Sequence, residues 1–355
     1  MGYIVKEADL VKERDIMVNI LTNNRSAGDF DYNKRFEWIY LNNPFGKAKA
    51  WIIWDDKKNI PVGFTGVFPR PAYVNGQQYM CWNCGDFSIE KKYRALGVAL
   101  KLRRAAKDCI DNSEPPFLYA HPNERMEVIH LKVGHKKMAH MHRYALPIRL
   151  TRQVQSVVKN SKLAFFLAKP FNLLLSFKYR FSTFLGLSGK MYPDIQVNND
   201  HDELYRKMTE AFPVVADRSN KYLNWKFGSN PNQKYQQFDL FYKNHLVGTI
   251  FFVHKGDVVH IIDVLIDDFD RYSSQLFRMF INYVRKSFSR SIVSLSFILA
   301  EFNPFVRDLK KLGFKYRSDA TSGAIAYANE EQNSELAETV MDGKKWFMTV
   351  GDRDA

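Results

Sequence analysis

The chain carries the same series of landmarks twice, and this internal repeat constrains its fold more than any other feature. Trp38 is followed six residues later by Pro44. Further along the chain, Trp225 is followed six residues later by Pro231, and an Asn directly precedes each of the two prolines. Landmarks that recur in the same order indicate that one arrangement of strands and helices occurs twice in the chain. The chain is therefore expected to fold as two similar halves.

Two hairpins and two acids follow these landmarks in the same order. Residues 50–67 and residues 238–251 each hold β-branched and aromatic runs around a polar turn, which predicts a hairpin in each half. Asp86 and Asp263 then stand inside apolar segments of strand composition. Each half is predicted to follow the order β-α-α-β-β-β-α-β-α-β.

The chain is long enough for two ordinary domains, with 355 residues of which 46% are hydrophobic. That hydrophobic share excludes global disorder. The predicted fold class is α/β, with mixed α+β sheets. The predicted division places a first domain at residues 1–148, a basic, apolar helical connector at 149–192 and a second domain at 193–355.

A strand–loop–helix segment in the first half has the character of an anion site. An apolar strand ends near Ile89, and a short loop follows that carries Lys91, Lys92 and Arg94. The next helix opens on small residues, which are Ala95, Gly97 and Ala99. Unpaired amides at a helix start and the helix dipole favour negative charge, so the segment predicts a phosphate or pyrophosphate site.

Neither the Walker loop nor the dinucleotide fingerprint occurs in this segment. Residues 94–99 instead resemble the acyl-CoA loop of the GNAT superfamily of N-acyltransferases, whose pattern [Q/R]-x-x-G-x-[G/A] directly follows a strand. Together with the repeated element order, the resemblance covers nearly the whole chain apart from the connector. It implies two tandem GNAT-like domains, each with a mixed sheet splayed in the middle and helices on both faces.

The resemblance implies an acyl-CoA co-substrate, acetyl-CoA first, and a set of residues that hold it. The strand would pair with the pantetheine arm through Phe87, Ser88 and Ile89. The phosphate loop would consist of Arg94, Ala95, Leu96, Gly97, Val98 and Ala99. Asn123 follows the next strand, where the family often uses an Asn to hold the CoA arm; the alternative is that Asn123 caps the following helix.

Two residues are candidates for catalysis. Asp86 lies where the family often has a carboxylate that takes the ammonium proton. Because Asp263 occupies the matching place in the second half, Asp86 is alternatively a shared structural acid. His130 precedes Gly134 by four residues, where GNAT enzymes often carry a Tyr that protonates the leaving thiolate. A His can donate a proton near neutral pH; alternatively, His130 is a helix residue facing the sheet.

The second half lacks the phosphate loop. Residues 267–275 contain no glycine and three acids, which would repel a pyrophosphate. The second half is therefore not expected to bind CoA in the family manner. It is either a degenerate copy kept for packing or one wall of the acceptor cleft.

The net charge of +14 indicates an anionic partner. No nucleic-acid-binding signature accompanies it, so nucleic acid is not the expected partner. Three cysteines form no disulfide framework, and the first residues lack a signal-peptide core, so a cytoplasmic location is expected. Cys81 and Cys84 have CxxC spacing without a second ligand pair, and no metal is predicted.

The connector is strongly basic, because no Asp or Glu occurs between Val128 and Pro193. Residues 149–190 mix cations with Leu and Phe, and Lys169 and Pro170 interrupt the apolar run, which argues against a transmembrane span. One interpretation is a helical hairpin on an anionic membrane surface, with the protein peripheral at the inner face of the membrane. The other is a pair of helices packed between the domains, with solvated lysines.

These patterns together predict an acyl-CoA-dependent N-acyltransferase that acts on a small primary amine, with an amino sugar as the first choice by family analogy. One alternative is a Fem-type peptidyltransferase, which takes aminoacyl-tRNA; the intact loop at residues 94–99 favours CoA. The other alternative is a non-catalytic protein that binds acyl-CoA or a membrane surface.

Overall fold

The fold is taken from a computed structural model that describes residues 2–353 except 26, 27, 29, 113, 159, 181–184 and 289–291. The first half contains six strands, which are β1 (Tyr3–Glu7), β2 (Lys49–Asp55), β3 (Ile60–Val74), β4 (Gln77–Ile89), β5 (Phe117–Ala120) and β6 (Lys136–Pro147). Its described helices are α1 (Arg14–Asn24), α2 (Tyr32–Phe36), α3 (Leu96–Asp111) and α4 (Glu124–Lys132).

The connector forms α5 (Thr151–Val157) and α6 (Ser161–Arg180), although residues 159 and 181–184 of the predicted connector lie outside the described residues. The second half follows as β7 (Leu187–Tyr192), α7 (Asn199–Ala211), β8 (Val214–Ala216), α8 (Asn220–Leu223), β9 (Gln236–Tyr242), β10 (His245–Lys255), β11 (Val258–Ile266), α9 (Phe269–Ser287), β12 (Ser294–Ala300), α10 (Phe305–Leu312) and β13 (Lys315–Ala328). The tail adds α11 (Ser334–Val340) and β14 (Trp346–Phe347). Apart from the short β8, the two halves have the same element order, which confirms the order predicted from the sequence.

The main strands form one continuous mixed sheet in the order β1-β2-β3-β4-β5-β13-β6-β12-β11-β10-β9-β7. Within it, β4 pairs with β5 in parallel and β11 pairs with β12 in parallel. The last strands of the halves are exchanged: β13 pairs with β5, and β6 pairs with β12. β6 and β13 then pair with each other at the centre of the sheet. The halves therefore share one sheet, and the division at residues 148 and 193 stays a prediction.

The two repeated tryptophans meet at the interface of the halves. Trp38 lies in a π-helical turn at Glu37–Leu41, and Trp225 lies in a second one at Asn224–Gly228. Their rings stack with centroids 4.6 Å apart. Trp38 Nε1 donates to the Trp225 carbonyl at 3.1 Å, and Trp225 Nε1 donates to the Trp38 carbonyl at 3.3 Å. This reciprocal contact is that of a pseudo-two-fold axis relating the halves.

Helix α3 is held against the first-half sheet by one apolar face. Leu102, Ala106 and Ile110 recur every four residues along it and are fully buried. Val98 continues the same face at the start of the helix. This packing fixes the start of α3 beside the end of β4, where the candidate site lies.

Candidate functional site

The sheet of the first half opens between β4 and β5. Their parallel ladder ends at the Asn83–Tyr119 pair. Past this pair β4 runs on to Ile89, and within the described part of the chain no strand pairs with its edge on that side. A register shift against β3 falls between Ser88 and Gly85, where Asp86 has a φ of 47°. The splayed edge predicted from the sequence is therefore present, with a bulge at its centre.

The start of α3 is exposed and uncapped at the end of this open edge. Ala95 is the N-cap residue and offers no side-chain acceptor to the first-turn amides. Ala95, Leu96 and Gly97 are exposed, and a Cβ on Gly97 would meet nothing within 4 Å. Val98 and Ala99 face the core. Free amides with open space before them fit an anionic group such as a pyrophosphate.

Basic side chains border the helix start. Lys91 and Lys92 are exposed in a single 3-10 turn. Arg94 joins the loop to its surroundings: Nε donates to the Ile89 carbonyl at 2.9 Å, and Nη2 donates to Asn24 Oδ1 at 2.7 Å. The loop is therefore tied to both the end of β4 and the end of α1. Among the strand residues proposed to face pantetheine, Ser88 and Ile89 are buried and Phe87 is half-buried.

The matching helix start in the second half is capped by its own acid. Asp268 is the N-cap of α9, and its Oδ1 accepts from the Arg271 amide at 3.0 Å. The neighbouring Asp267 pairs with Lys207 at 2.7 Å. A carboxylate thus occupies the place that stands open at α3, so the two helix starts differ as the sequence indicated.

Asp86 is fully buried and already paired. It forms ion pairs with Arg35 and with Arg25, the latter at 2.9 Å, and Tyr40 Oη donates to Asp86 Oδ2 at 3.1 Å. Burial acts to raise the pKa of the Asp86 carboxyl, but Arg35 and Arg25 outweigh it and hold the pKa below its usual value. A carboxylate held by two guanidinium groups is a weak base.

Asp263 is likewise buried against an arginine in the second half, but burial and the nearby Asp352 carboxylate outweigh Arg218 and raise the pKa of Asp263, opposite to Asp86. Arg218 Nε lies 3.0 Å from Asp263 Oδ2, and Thr349 Oγ1 donates to Asp263 Oδ1 at 2.8 Å. Both halves therefore place the repeated acid against a buried arginine. This similarity favours the shared structural role, and the role of Asp86 as a catalytic base stays a prediction.

His130 lies inside the α3–α4 interface. It is 3% exposed, and its Nδ1 is 2.8 Å from Nδ1 of His135. Burial and the neighbouring Arg103 hold the pKa of His130 well below the usual value, and the same causes act on His135. The His135 ring stacks on Tyr327 with centroids 5.3 Å apart. These contacts favour the alternative of a packed helix residue; the acid role of His130 stays a prediction.

Asn123 caps α4. Its Oδ1 accepts from the Met126 amide at 3.0 Å, while the residue remains exposed. The N-cap alternative is therefore what the structure contains. A contact with the CoA arm stays a prediction.

His121 is a residue that the sequence interpretation passed over. The β4–β5 register places it level with Gly85, just beyond the last paired residues. Both of its ring nitrogens are buried, and neither has a hydrogen-bond partner within the described chain. Burial first, and then Arg353, lower the pKa of His121 to about 3. A neutral imidazole whose buried nitrogens leave a donor and an acceptor unfilled thus lies next to the Tyr119 ring, where the β4–β5 ladder has ended. Its sequence signal was a His directly after a four-residue apolar strand.

The C-terminal turn at Val350–Asp352 forms part of the wall behind this opening. Asn83 Nδ2 donates to the Asp352 carbonyl at 3.0 Å, and Arg70 Nη1 lies 3.0 Å from Asp352 Oδ1. Arg70 Nη1 also donates to Tyr119 Oη at 2.8 Å. Residues of β3 and β4 therefore contact a turn more than 200 residues away in the chain, which no local sequence pattern indicates.

A cleft of about 290 Å³ lies between the halves. The first half contributes Tyr73 and the second half contributes Tyr205, Asp202 and Asp217. Arg70 Nη2 donates to the Asp217 carbonyl at 2.8 Å and so links this cleft to the wall of the open edge.

Cys81 and Cys84 are buried in β4, and Cys81 Sγ donates to the Arg70 carbonyl at 3.1 Å. The described residues contain no group of three or more metal-ligating side chains. None of the described helices combines the length and the apolar character needed to cross a bilayer.

The fold matches solved structures of one fold family. A GCN5-related N-acetyltransferase from Anabaena variabilis ATCC 29413 superposes with a TM-score of 0.64 at 15% identity, over 92% of this chain and 73% of that chain. A conserved protein of unknown function from Enterococcus faecalis V583, described as a probable N-acyltransferase, gives 0.64 at 11% identity over 94% and 74%. A GCN5-related N-acetyltransferase from Kribbella flavida gives 0.57 at 10% identity over 92% and 71%. No protein-family model and no curated protein matches the sequence. The chain therefore has the GNAT fold.

Proposed function

We propose that this chain is an acyl-CoA-dependent N-acyltransferase, with acetyl-CoA as the first donor and a primary amine as the acceptor. The observation that carries the proposal is the exposed, uncapped start of α3 at the open edge of β4, beside Lys91, Lys92 and Arg94. The names of the Anabaena and Kribbella structures, both N-acetyltransferases, support the same chemistry. The capped start of α9 supports a single donor site in the first half.

In this proposal the phosphates lie against the first-turn amides of α3, where Gly97 leaves room for them. The pantetheine arm lies along β4 at residues 87–89, whose edge has no strand neighbour on that side within the described chain. Asn123 borders the arm from the start of α4. Asp86 acts as a positioning residue, because its ion pairs hold the bulge that directs the following residues.

Acyl transfer forms a bond from the amine nitrogen to the acyl carbon and breaks the carbon–sulfur bond of the thioester; the nitrogen loses one proton, and the departing CoA thiolate takes one up and leaves as the thiol. We assign His121 to the acyl end of the site as a hydrogen-bonding group, since its nitrogens lack partners there. Its low pKa makes it a poor proton acceptor, so its contribution is to orient a reacting group. The amine would enter from the cleft between the halves, whose charged lining consists of Asp202, Asp217 and Arg206. An amino sugar remains the first acceptor to try.

Thermal-shift titration separates this proposal from its alternatives. Acetyl-CoA is expected to raise the melting temperature, because a ligand at about 100 times its Kd adds about 2.7 kcal/mol to the unfolding free energy. Stabilisation by aminoacyl-tRNA without stabilisation by acetyl-CoA would instead support the Fem-type peptidyltransferase, which the net charge of +14 also suits. Release of free thiol is then followed across a panel of amines, amino sugars included. Binding without turnover on any amine would support a non-catalytic acyl-CoA-binding protein.

A further inference from the structure

Helix α6 turns its bulky apolar side chains toward solvent. Seven of them are between 46% and 73% exposed: Leu163, Phe166, Leu167, Phe171, Leu173, Leu174 and Phe177. Most of them recur at spacings of three and four residues and therefore lie on one face of the helix. Val157 on α5 and Leu185 after α6 add further exposed apolar surface. An exposed apolar surface of this extent marks an interaction site.

The opposite face of α6 is the one that packs on the protein. Ala164, Ala168 and Tyr179 are buried there, and α6 contacts α9. A surface helix of a globular protein normally buries its large apolar residues and exposes its polar ones. In α6 the buried face consists of Ala164, Ala168 and Tyr179, with Leu175 half-buried beside them, whereas the seven side chains named above are exposed. Packing within the protein therefore does not account for those seven.

The surroundings of this apolar face are basic. Residues 149–190 carry eight lysines and arginines and no acid, and of these Arg149 is buried and bound to backbone carbonyls of the protein. Lys169, at the middle of α6, is exposed. Tyr179 Oη donates to the Leu312 carbonyl at 2.9 Å, so the end of α6 adjoins the last turn of α10, which carries the exposed Lys310 and Lys311.

We propose that the apolar face of α6 inserts into the surface of an anionic lipid bilayer, with the surrounding lysines and arginines against the lipid headgroups. Exposed Leu and Phe together with cations suit a helix lying in the bilayer interface. A second copy of the chain is a poorer occupant, because two copies of this face would bring cations together with no acid to pair them. The proposal does not depend on the acyltransferase chemistry.

Vesicle flotation of the full chain tests the proposal. Vesicles of phosphatidylcholine with phosphatidylglycerol are expected to capture the protein, whereas vesicles of phosphatidylcholine alone capture much less. Raising the salt concentration weakens capture, because salt screens the headgroup charge. Phe166→Gln and Leu174→Gln are each expected to weaken partitioning about tenfold. Lys169→Glu weakens the preference for the anionic vesicles.

Val11→Gln is the matched control, because Val11 is equally exposed at 69% but lies outside the connector. It should leave vesicle binding unchanged. The altered side chains are exposed, so the melting temperature of every variant should match that of the parent chain. Absence of binding to anionic vesicles overturns the proposal, and so does binding that Phe166→Gln and Leu174→Gln leave intact. Sedimentation velocity that shows a dimer lost in these variants, without vesicle binding, would assign the face to a second copy instead.

Discussion

Replacing Ala95 with Asp would give α3 the acidic N-cap that α9 already has. The two N-cap positions have similar backbones, with φ −124° and ψ 149° at Ala95 and φ −127° and ψ 114° at Asp268. An Asp at position 95 can therefore accept from the first-turn amides as Asp268 accepts from Arg271. The substitution converts the open helix start into the capped one without changing the fold.

The effects on stability and on ligand binding are expected to have opposite signs. A new N-cap carboxylate adds about 1 kcal/mol to the unfolding free energy. In a chain of this size that raises the melting temperature by about 2 °C. The same carboxylate, about 5 Å from one phosphate charge at an effective dielectric constant of about 20, is repelled by about 3 kcal/mol. That repulsion weakens the binding of CoA by more than about 100-fold.

Differential scanning fluorimetry measures the first effect and isothermal titration calorimetry with CoA measures the second. Ala95→Asn is a neutral control that keeps the cap and should lose much less affinity than Ala95→Asp. Asp268→Ala is the matched control in the second half: it removes a cap and lowers stability by about 1 kcal/mol, with no effect on CoA binding.

Ala95→Asp would contradict this prediction by binding CoA as tightly as the parent chain does. Such a result would mean that the phosphates do not lie at the start of α3. A loss of CoA affinity in Asp268→Ala equal to that in Ala95→Asp would show that the two helix starts are not functionally different.

Four further outcomes are expected. Asp86→Asn lowers the unfolding free energy at pH 7 by about 3 kcal/mol in urea titrations, because it leaves buried Arg35 without its counter-charge. Since the folded-state pKa of Asp86 is depressed, this loss of stability is present above about pH 4 and disappears as the pH falls through the folded-state pKa. Unchanged stability together with lost turnover would instead favour Asp86 as the catalytic base. His121→Leu lowers kcat at least tenfold without loss of stability, since the nitrogens of His121 have no hydrogen bond to lose. A kcat equal to that of the parent chain would show that His121 does not belong to the site. Because the folded-state pKa of His130 is depressed, keeping it neutral destabilises the fold by about 1.4 kcal/mol per pH unit as the pH falls below about 6.5. His130→Gln lowers the total slope measured at pH 7, 6 and 5 by about that amount and leaves the slopes due to His135 and His121, whose pKa values are also depressed. Trp38→Phe and Trp225→Phe each lower the unfolding free energy by about 1 kcal/mol, and clearly unequal losses would contradict the pseudo-two-fold contact.

The sequence predicted the elements of this fold well because they depend on local patterns. Hairpins and the order of elements in each half follow from composition and spacing over about ten residues. The exchange of β6 and β13 could not be predicted in this way. The two strands have the same local surroundings in the chain whether each pairs with its own half or with the other. The choice is decided by pairing across the whole sheet.

The candidate site also contains features that depend on neighbouring residues and features that depend on distant ones. The loop at residues 94–99 was found because strand, loop and helix are adjacent in the chain. The surroundings of Asp86 were not predicted, since its partners lie far from β4 in sequence. Arg25 follows the end of α1, Arg35 lies in α2, and Tyr40 lies in the turn after α2. The roles given to Asp86 and His130 rested on position within a family pattern. Burial and charge at these positions come from distant residues, and they favour structural roles.

The symmetry of the sheet and the asymmetry of the helix starts have different origins. The exchanged strands and the reciprocal Trp38–Trp225 contact relate the halves closely, and the repeated acids both lie against buried arginines. None of these features distinguishes a donor half from an acceptor half. The distinction lies at the residue before each helix, Ala95 in one half and Asp268 in the other. A single side chain at that position decides whether the first-turn amides are capped from within or left open. Under the proposed function, this difference assigns the donor to one half of a two-fold fold.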